Sequence, residues 1–368
     1  MSASSLLLIG VGGAGSAIAR GVSRAFGPGL RHLTVDTDAL TGQGDDAAFV
    51  LLGGDRLSGR GAGGNLVMAH LAAEDSVSAL DERLEGVTMA VVVTSLGGGT
   101  GSSATPVVLK RLSEFNITSI VFATTPFSFE GDDSQRNARS SQPLIEESAN
   151  ASFFLPLDEL VEGEDNMELA RQRGIGIVAS GVTLFWRLLE TPGYIRFDQE
   201  RLRQLVAGAG RGRFATATAT GVDRARTVID LIRRSPLLAS AQGQIRAAVT
   251  GVMAGDDLRL SEIATIADAV RTGFPSVITH DLATVNDEAT FAGRLSVVVM
   301  FFEGTADDAT VSKGGRNRGR GRGTSSPEAA HAGFAKDYGR FRKAEPTMYN
   351  GEDLDIPTYL RRGITLES

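Results

Sequence analysis

Apolar residues in the first half of the chain alternate between short continuous runs and longer segments with helical spacing. Leu6–Val11 and Met89–Thr94 are unbroken apolar or β-branched runs, which is typical of strands buried on both faces of a sheet. Ser16–Phe26 carries apolar residues at every fourth position, which predicts a helix, and Pro106–Phe115 is predicted to be a second one. Strands that alternate with helices favour a parallel α/β sheet.

The same pattern continues through residue 156. Further strands are predicted over Leu33–Val35, Phe49–Leu52, Ile117–Thr124 and Ser152–Pro156, and further helices over Leu71–Leu84 and Pro143–Asn150.

The middle of the chain carries one long helical segment. Leu169–Leu189 ends before Thr191-Pro192-Gly193, which is a strong helix stop, and we interpret it as a helix that connects two domains. The pattern beyond it predicts a second, smaller α/β domain. Its predicted helices are Gly221–Arg234 and Ser261–Thr272, and its predicted strands are Gln244–Met253, Ser276–Thr279 and Arg294–Phe302.

The composition changes near residue 305. Lys313–Thr324 contains no apolar residue, so it cannot bury enough surface to offset the entropy of ordering. We predict a disordered linker there, and favour a solvated spacer over a basic segment that touches nucleic acid or acidic lipid. Apolar residues return in Asp353–Arg362, which indicates a short peptide that docks on a partner; the alternative is a terminus without a partner.

Composition narrows the classes of protein that fit. The formal net charge is -7, so the chain lacks the overall positive charge that is typical of a nucleic-acid-binding protein. The absence of cysteine excludes disulfides and thiolate metal sites, and the four histidines lack ligand spacing, so no dedicated metal site is predicted. We expect a cytoplasmic protein, because no basic segment precedes Leu6–Ile9 and no run approaches the roughly 18 apolar residues of a membrane span.

The first predicted strand leads directly into a glycine-rich turn, Gly10-Val11-Gly12-Gly13-Ala14-Gly15. Glycines let the backbone turn sharply and approach a phosphate, and the following helix supplies free N–H groups. Asp36 ends the next strand, at about the offset of a ribose-binding acid. Taken alone, this motif hardly distinguishes a dinucleotide-binding oxidoreductase from another kind of nucleotide-binding protein.

A second glycine-rich loop, Ser95–Ser103, follows another strand and argues against the oxidoreductase. Its consecutive N–H groups form an anion nest, and Thr100 and Ser102 add hydroxyl donors. A third flexible element, Arg60–Asn65, can close over a terminal phosphate. Two such loops at one sheet edge suit a di- or triphosphate better than a nicotinamide. The second loop is not a Walker A motif, because no Lys-Ser/Thr follows it.

These motifs resemble those of the tubulin/FtsZ superfamily and, within it, the FtsZ family. Gly97–Gly101 is similar to the signature phosphate loop of the superfamily, and Gly12–Ser16 is similar to its first loop. The other similar segments are the second loop Val35–Leu40, the third loop Gly61–Asn65, the sugar-contacting segment Thr125–Gly131, Gly221–Leu238 and Leu258–Val270 in the second domain, and the terminal peptide Asn350–Gly363.

The resemblance implies an organisation of the chain in five parts. They are a Rossmann-like parallel-sheet GTPase domain over 1–168 that binds the nucleotide, a long central helix over 169–192, a smaller α/β domain with the synergy loop over 193–305, a disordered linker over 306–345 and a partner-binding peptide over 346–368.

The resemblance also implies site residues. The nucleotide-binding residues would be Gly12, Gly13, Ala14, Gly15, Ser16, Asp36, Ala62, Gly63, Gly64, Asn65, Gly97, Gly98, Gly99, Thr100, Gly101, Ser102, Pro126 and Glu130. The catalytic acids would be Asp198 and Glu200. The partner peptide would present Asp355, Ile356, Pro357, Tyr359, Leu360 and Arg361.

Members of this family bind GTP and stack head to tail into filaments that form the cell-division ring in the cytoplasm. The resemblance therefore implies a homopolymer that hydrolyses GTP to GDP and phosphate, commonly with Mg²⁺, once the synergy loop of the next subunit completes the site. The terminal peptide would bind membrane tethers or other division proteins without inserting into the membrane. Nucleic acid is not an expected partner.

Several positions depart from the family pattern. Arg196 replaces an Asn of the synergy loop, and Arg201 replaces its second acid, with Glu200 one position away. Arg171 stands where a Phe stacks on the base, and Arg173–Gly176 stands where an Asn recognises it. An FtsZ-like filament or scaffold with weak or no GTPase activity, or with relaxed base specificity, is therefore the alternative.

Overall fold

A ten-stranded mixed sheet forms the centre of the first unit of the chain. This computed structural model describes residues 5–44, 46–161, 166–207, 209–239, 245–275, 277–303, 348–349 and 352–353. The strands are β1 (Leu6–Val11), β2 (His32–Asp36), β3 (Phe49–Leu51), β4 (Met89–Ser95), β5 (Thr118–Thr125), β6 (Ala151–Pro156), β7 (Gly210–Thr220), β8 (Ile245–Ala254), β9 (Thr279–Asn286) and β10 (Arg294–Glu303). Their spatial order is β3-β2-β1-β4-β5-β6-β7-β10-β8-β9.

Helices connect most of these strands. They are α1 (Gly12–Phe26), α2 (Gly54–Leu57), α3 (Leu66–Glu74), α4 (Val77–Asp81), α5 (Gly99–Glu114), α6 (Asp132–Ser148), α7 (Leu157–Leu160), α8 (Met167–Glu190), α9 (Gln199–Val206), α10 (Arg224–Arg233), α11 (Pro236–Ala239), α12 (Leu260–Gly273) and α13 (Glu288–Phe291), with 3-10 turns at Ala39–Gly42 and Asp46–Ala48. No helix in the described ranges has the length and apolarity that crossing a bilayer requires.

The parallel half of the sheet, β3 to β6, is covered by helices on both faces. Leu6 and Leu8 of β1 pack with Ile18 of α1 on one face, in a cluster that also contains residues of α8. Leu7 and Ile9 belong to a separate cluster on the other face, together with residues of α3 and α5. Because both faces are buried, β1 is apolar at every position except its glycine, which confirms the prediction of a parallel α/β sheet.

The second half of the sheet continues the first through a short seam. β6 pairs in parallel with β7 over three residue pairs, Ala151–Phe153 against 210–212. β7 and β8 then flank β10 in antiparallel ladders, and β9 closes the edge parallel to β8. The predicted division at 168 and 192 stays a prediction, since one sheet runs through both halves.

Helix α8 confirms the long central helix. It spans 24 residues and begins at an N-cap, Asn166, whose side chain accepts from the N–H groups of Glu168 and Leu169. Trp186 is only 1% exposed and packs in the same cluster as β1. The helix therefore contributes to a core that both halves of the sheet share.

The structure corrects several predicted boundaries. The predicted helix Leu71–Leu84 is two helices, α3 and α4, because Ser76 Oγ donates to Ala72 O and accepts from Gly53 N at the break. α5 begins at Gly99 rather than Pro106, and α6 begins at Asp132 rather than Pro143, because both first turns consist of glycine or polar residues without an apolar pattern. The predicted strand Ser276–Thr279 is wrong at residues 277 and 278, since β9 begins at Thr279, and residue 276 lies outside the described residues.

The second unit, residues 316–368, is described only at a two-stranded antiparallel ladder. Met348–Tyr349 forms β11 and Glu352–Asp353 forms β12, with Met348 opposite Asp353. The predicted linker, 306–345, lies outside the described residues. So do the predicted docking residues Asp355, Ile356, Pro357, Tyr359, Leu360 and Arg361.

A buried ion cluster joins α10 to α12 in the second half of the sheet. Arg224 donates from Nε to Glu262 Oε1 (2.7 Å) and from NH2 to Glu262 Oε2 (3.0 Å), and its NH1 reaches Asp257 Oδ2 at 2.8 Å. The side chains of Arg224 and Glu262 are 5% and 11% exposed. Hydrogen bonding to Arg224 lowers the pKa of Glu262 below its ordinary value.

Replacing Glu262 with Gln should destabilise the fold by about 3 kcal/mol, because it removes the negative charge, and one of the oxygen acceptors, that the buried Arg224 guanidinium faces. Since the folded-state pKa of Glu262 is lowered, its contribution is present above the ordinary Glu pKa and is lost as pH falls through the lowered value. Urea denaturation at pH 7 and pH 4 measures both effects.

The control is Asp268→Asn on the same helix, where the ion pair with Arg271 is exposed (71% and 69%). It should change stability by less than about 0.5 kcal/mol. Equal midpoints for the two variants would contradict the assignment.

Candidate functional site

Two helices begin at the carboxyl ends of two neighbouring strands. β1 and β4 pair in parallel, and their last paired residues are Val11 and Thr94. β1 runs into α1 with Val11 as N-cap, and β4 is followed by α5 with Gly98 as N-cap. The N–H groups of both first turns therefore converge at one edge of the sheet, where a helix N-terminus attracts anions.

The two loops lie in direct contact, and glycine is required for this. Gly12 has φ +76°, and a Cβ there would lie 3.0 Å from Gly101 N. A Cβ on Gly101 would lie 2.1 Å from the carbonyl oxygen of Ser95. The glycine spacing that predicted a phosphate site is thus also what lets these two backbones pack together.

A cavity of about 380 Å³ opens over the two helix N-termini. Eight of the predicted nucleotide-binding residues line it: Gly12, Gly13, Ala14, Gly98, Gly99, Thr100, Gly101 and Glu130. The remaining lining residues are Val11, Ser95, Leu96, Thr124, Leu157, Met167, Arg171 and Ile175. The cavity thus has a floor of backbone N–H groups and a wall from α8.

Thr37 joins the second and third loops to the glycine loop. Its Oγ1 lies 2.7 Å from Thr100 Oγ1 and accepts from Ala62 N at 3.0 Å. Asn137 of α6 makes a second link, since its Nδ2 donates to Gly64 O (3.2 Å) and Gly97 O (3.0 Å). Sequence reasoning assigned neither Thr37 nor Asn137 a role, because each acts on residues far along the chain.

Other predicted nucleotide-binding residues support the loops from behind the cavity lining. Ser102 Oγ accepts from Gly97 N at 2.8 Å. The Asp36 carboxylate accepts from Thr37 N and from Thr41 Oγ1, both at 2.7 Å, and so holds the second loop. A Cβ on Gly15 would lie 2.5 Å from Val93 O, which makes Gly15 a close-packing position.

Four further predicted residues, Ala62, Gly63, Gly64 and Asn65, form the third loop. A Cβ on Gly99 would lie 3.1 Å from Gly64 C, so this loop packs directly against the glycine loop, and Asn65 caps α3. Gly63, Gly64 and Gly97 line a neighbouring cavity of about 550 Å³. Pro126 packs near Gly97, and Ser16 Oγ is buried with no hydrogen-bond partner among the described residues.

The wall that α8 contributes falls where the resemblance placed the base-reading segment, with Arg171 and residues 173–176 as departures from the family pattern; Met167 was not assigned. Met167, Arg171 and Ile175 are four residues apart and therefore lie on one face of the helix, toward the cavity. Their spacing was visible in the sequence, but it equally suits a helix that packs on the core. This wall therefore consists of apolar side chains and one guanidinium, whereas the floor consists of backbone N–H groups.

The predicted catalytic acids lie at the opposite edge of the sheet. Ser5 Oγ, just before β1, donates to Gln199 Oε1 at 3.1 Å, and Thr88 Oγ1, just before β4, donates to the same atom at 3.4 Å. Asp198 therefore lies near the amino ends of the strands whose carboxyl ends carry the glycine loops. The length of a six-residue strand separates the two edges by about 20 Å.

Asp198 and its neighbours are held by defined contacts. Asp198 Oδ1 accepts from Arg201 N at 2.7 Å and caps α9. The Arg201 guanidinium pairs with Asp281 of β9, with NH2 2.9 Å from Oδ2, and Glu200 pairs with Arg203 at 3.2 Å. Arg196, Asp198 and Glu200 all line a cleft of about 640 Å³ beside the end of α8. Within the described residues, no group of three or more His, Asp or Glu is placed to hold a metal ion.

Gly101→Ala should destabilise the protein by about 1–3 kcal/mol, because the added methyl group overlaps the Ser95 carbonyl oxygen. Gly98→Ala, in the same loop, is the matched control, since a Cβ there meets no atom within 4 Å. Its stability should stay within about 0.5 kcal/mol of the parent protein. Urea denaturation followed by circular dichroism compares the two. A Gly101→Ala protein as stable as the control would refute the close contact between β4 and α5.

Comparisons with known proteins agree with this geometry. Residues 5–164 match the Tubulin/FtsZ family, GTPase domain. The cell division protein FtsZ of Pseudomonas aeruginosa is 28% identical over 298 residues, which cover 80% of this chain and 75% of that protein. Among solved structures, an empty FtsZ dimer of M. jannaschii has a TM-score of 0.74 at 22% identity, over 81% of this chain and 87% of that one. The GTPγS-bound protofilament of CetZ2 from Haloferax volcanii has a TM-score of 0.69 at 22% identity, over 84% and 96%. At these identities the two structures share the fold. The part of the chain that carries the two glycine loops is thus similar in sequence to the Tubulin/FtsZ GTPase domain, and the fold is similar to those of FtsZ and CetZ.

Proposed function

We propose that this chain binds GTP in the 380 Å³ cavity and assembles head to tail into filaments, in which each subunit completes the site of its neighbour. One observation carries the proposal. The glycine loops follow the carboxyl ends of β1 and β4, whereas Asp198 lies near the amino ends of the same strands. A single subunit cannot bring the two together, but translation of a second copy along the strand direction does. Such an interface is heterologous and does not close, so it generates a filament.

The cavity suits a nucleoside di- or triphosphate. The N–H groups of two helix N-termini and the Thr100 hydroxyl supply donors for phosphate oxygens, and these donors need no rearrangement to bind. Glu130 lines the cavity between this floor and α8, where a ribose hydroxyl can donate to its carboxylate. The solved CetZ2 protofilament, which shares the fold, holds GTPγS. These features together support GTP and GDP as ligands.

Hydrolysis would depend on assembly. The Asp198 carboxylate of the next subunit would orient a water molecule for in-line attack on the γ-phosphorus, while the bond to the bridging oxygen breaks and GDP leaves. Glu200 is the second proposed acid, although its carboxylate forms an ion pair with Arg203 of the same subunit. Catalysis in this design rests on positioning and on charge neutralisation by the loop N–H groups.

Mg²⁺ is compatible with the residues present. In nucleotide sites this ion is held mainly by phosphate oxygens and water, with few protein ligands, so a dedicated acidic cluster is not required. The Thr100 hydroxyl oxygen is the group of this chain that would coordinate the ion. Bound Mg²⁺ would neutralise charge on the phosphates.

A filament or scaffold with little turnover is the second candidate. It is favoured by Arg201, which stands in place of an acid and is tied to Asp281, and by Arg196 in the same cleft as Asp198. These cations can strengthen attraction to the phosphates of a neighbouring subunit and yet compete with a metal ion or displace the attacking water.

The cellular role that we propose rests on the similarity to FtsZ. We propose that the filaments act in the cytoplasm at the division site, as part of the division ring, since the Pseudomonas aeruginosa relative is a cell division protein. Residues 306–345 would serve as the linker, and residues 346–368 would bind a membrane tether or another division protein.

Phosphate release from GTP should rise more steeply than linearly with protein concentration, because each site needs two subunits. Release and sedimentation would be measured together, with GTP, ATP and no nucleotide. Pelleting without release would support the scaffold. A protein that neither pellets nor releases phosphate at any concentration would contradict both candidates.

Mixing two inactive variants tests whether the site is shared between subunits. Asp198→Asn removes the charge but keeps an N-cap acceptor for α9. Gly98→Asp puts a carboxylate at the phosphate floor, in a position with space for a side chain. Each variant alone should lose at least 90% of turnover, or roughly 1.4 kcal/mol of transition-state stabilisation. The mixture should recover part of it, because Gly98→Asp subunits offer an intact Asp198 to nucleotide held by Asp198→Asn subunits. No recovery in filaments that contain both variants would contradict a shared site.

Truncation after Asn350 should leave filament assembly and turnover unchanged and abolish recruitment to the division site in cells. Pelleting of the truncated protein and its fluorescence localisation are the two measurements. Normal localisation would show that the terminal peptide is not the docking segment.

A further inference from the structure

One end of the cavity is built differently from the phosphate floor. Leu157 of α7 and the α8 residues Met167 and Ile175 supply apolar surface there, and Arg171 lies between the two α8 residues on the same helix face. Arg171 and Glu130 are the charged side chains among the described lining residues. A planar base can pack against the aliphatic groups, and Arg171, on the same helix face, is then within reach of its polar edge.

The Arg171 guanidinium is available for this contact. Its one recorded ion pair, with Glu168 at 3.7 Å, joins side chains that are 52% and 65% exposed. Such an exposed pair is weak and can be given up for a ligand. The Glu130 carboxylate is engaged differently, since it accepts from Phe127 N and from Ser134 Oγ, both at 3.2 Å.

We propose that Arg171 selects guanine by donating two N–H groups to its O6 and N7 atoms. This inference rests on the proposed function, namely that the cavity holds a nucleotide. The reasoning is one of donor and acceptor matching. A guanidinium has only donors, so it cannot pair with the N1–H and amino groups of guanine. O6 and N7 are two neighbouring acceptors whose spacing matches the fork of an arginine.

The same chemistry rejects other bases. Adenine keeps N7 but presents an amino donor in place of O6, which faces the guanidinium donor to donor. Pyrimidines have no N7. The apolar side chain of Ile175 provides no acceptor for the 2-amino group of guanine, so that group should add little to affinity. Discrimination should therefore follow the O6 and N7 atoms and should ignore the 2-amino group.

Nucleoside diphosphates with altered bases test this directly. Calorimetric titration of the full-length chain would use GDP, IDP, 7-deaza-GDP and ADP, because diphosphates avoid turnover. IDP, which keeps O6 and N7, should bind within about twofold of GDP. The diphosphates 7-deaza-GDP, which lacks N7, and ADP should each bind roughly tenfold more weakly or worse.

Arg171→Met then isolates the side chain, because methionine keeps a long apolar stem and a good helix propensity. It should weaken GDP binding roughly tenfold and remove the difference between GDP and 7-deaza-GDP. Arg139→Met is the control, since Arg139 lies on α6, is exposed and does not line the cavity. It should keep the base preference of the parent protein.

Equal affinities of the parent protein for GDP and 7-deaza-GDP would overturn the proposal, and so would an Arg171→Met protein that still separates them. IDP binding tenfold weaker than GDP would overturn it too, by showing that the 2-amino group is recognised. If a folded parent protein binds none of the four, the proposed nucleotide function itself fails. That result is distinct from binding without selectivity.

Discussion

The parallel pairing of β1 with β4 is the constraint on which the site depends. It brings two strand-to-helix turns to the same sheet edge and brings Gly12 to within contact of Gly101. The pairing is maintained by burial on both faces, since alternate residues of β1 enter separate hydrophobic clusters. The positive ends of two helix dipoles repel each other when they lie close together. Here the sheet provides the energy that holds them, and an anion would relieve the repulsion.

The loops around this edge are linked by a few polar contacts that connect distant parts of the chain. Thr37 meets Thr100 across 63 positions, and Asn137 meets Gly97 across 40. Because Thr37 also accepts from Ala62 N, the third loop is connected through Thr37 to Thr100 of the glycine loop. The site is therefore a connected set of loops rather than independent turns.

The sequence predicted those parts of the structure in which one local pattern dominates. Leu6–Val11 was predicted to the residue because burial on both faces leaves an unbroken apolar run. β7 was missed, since its alternating Ala, Thr and Gly residues offer little contrast between its faces. Within the site, glycine spacing predicted the two strand-to-helix turns that meet at one sheet edge, while their binding of phosphate stays a prediction. Arg171 was noted only as a departure from the family, and the long-range contact of Asn137 leaves no local trace in the sequence.

The seam between β6 and β7 has a mechanical consequence. Three residue pairs connect the halves of the sheet there, whereas β7 and β10 pair over nine, from Arg294 to Phe302. Phe153 compensates by stacking on Phe122 (4.9 Å between ring centroids) and by packing edge-on against Phe214 and Phe302. A load that pulls the two halves of the sheet apart would therefore act on this aromatic packing as well as on the short ladder.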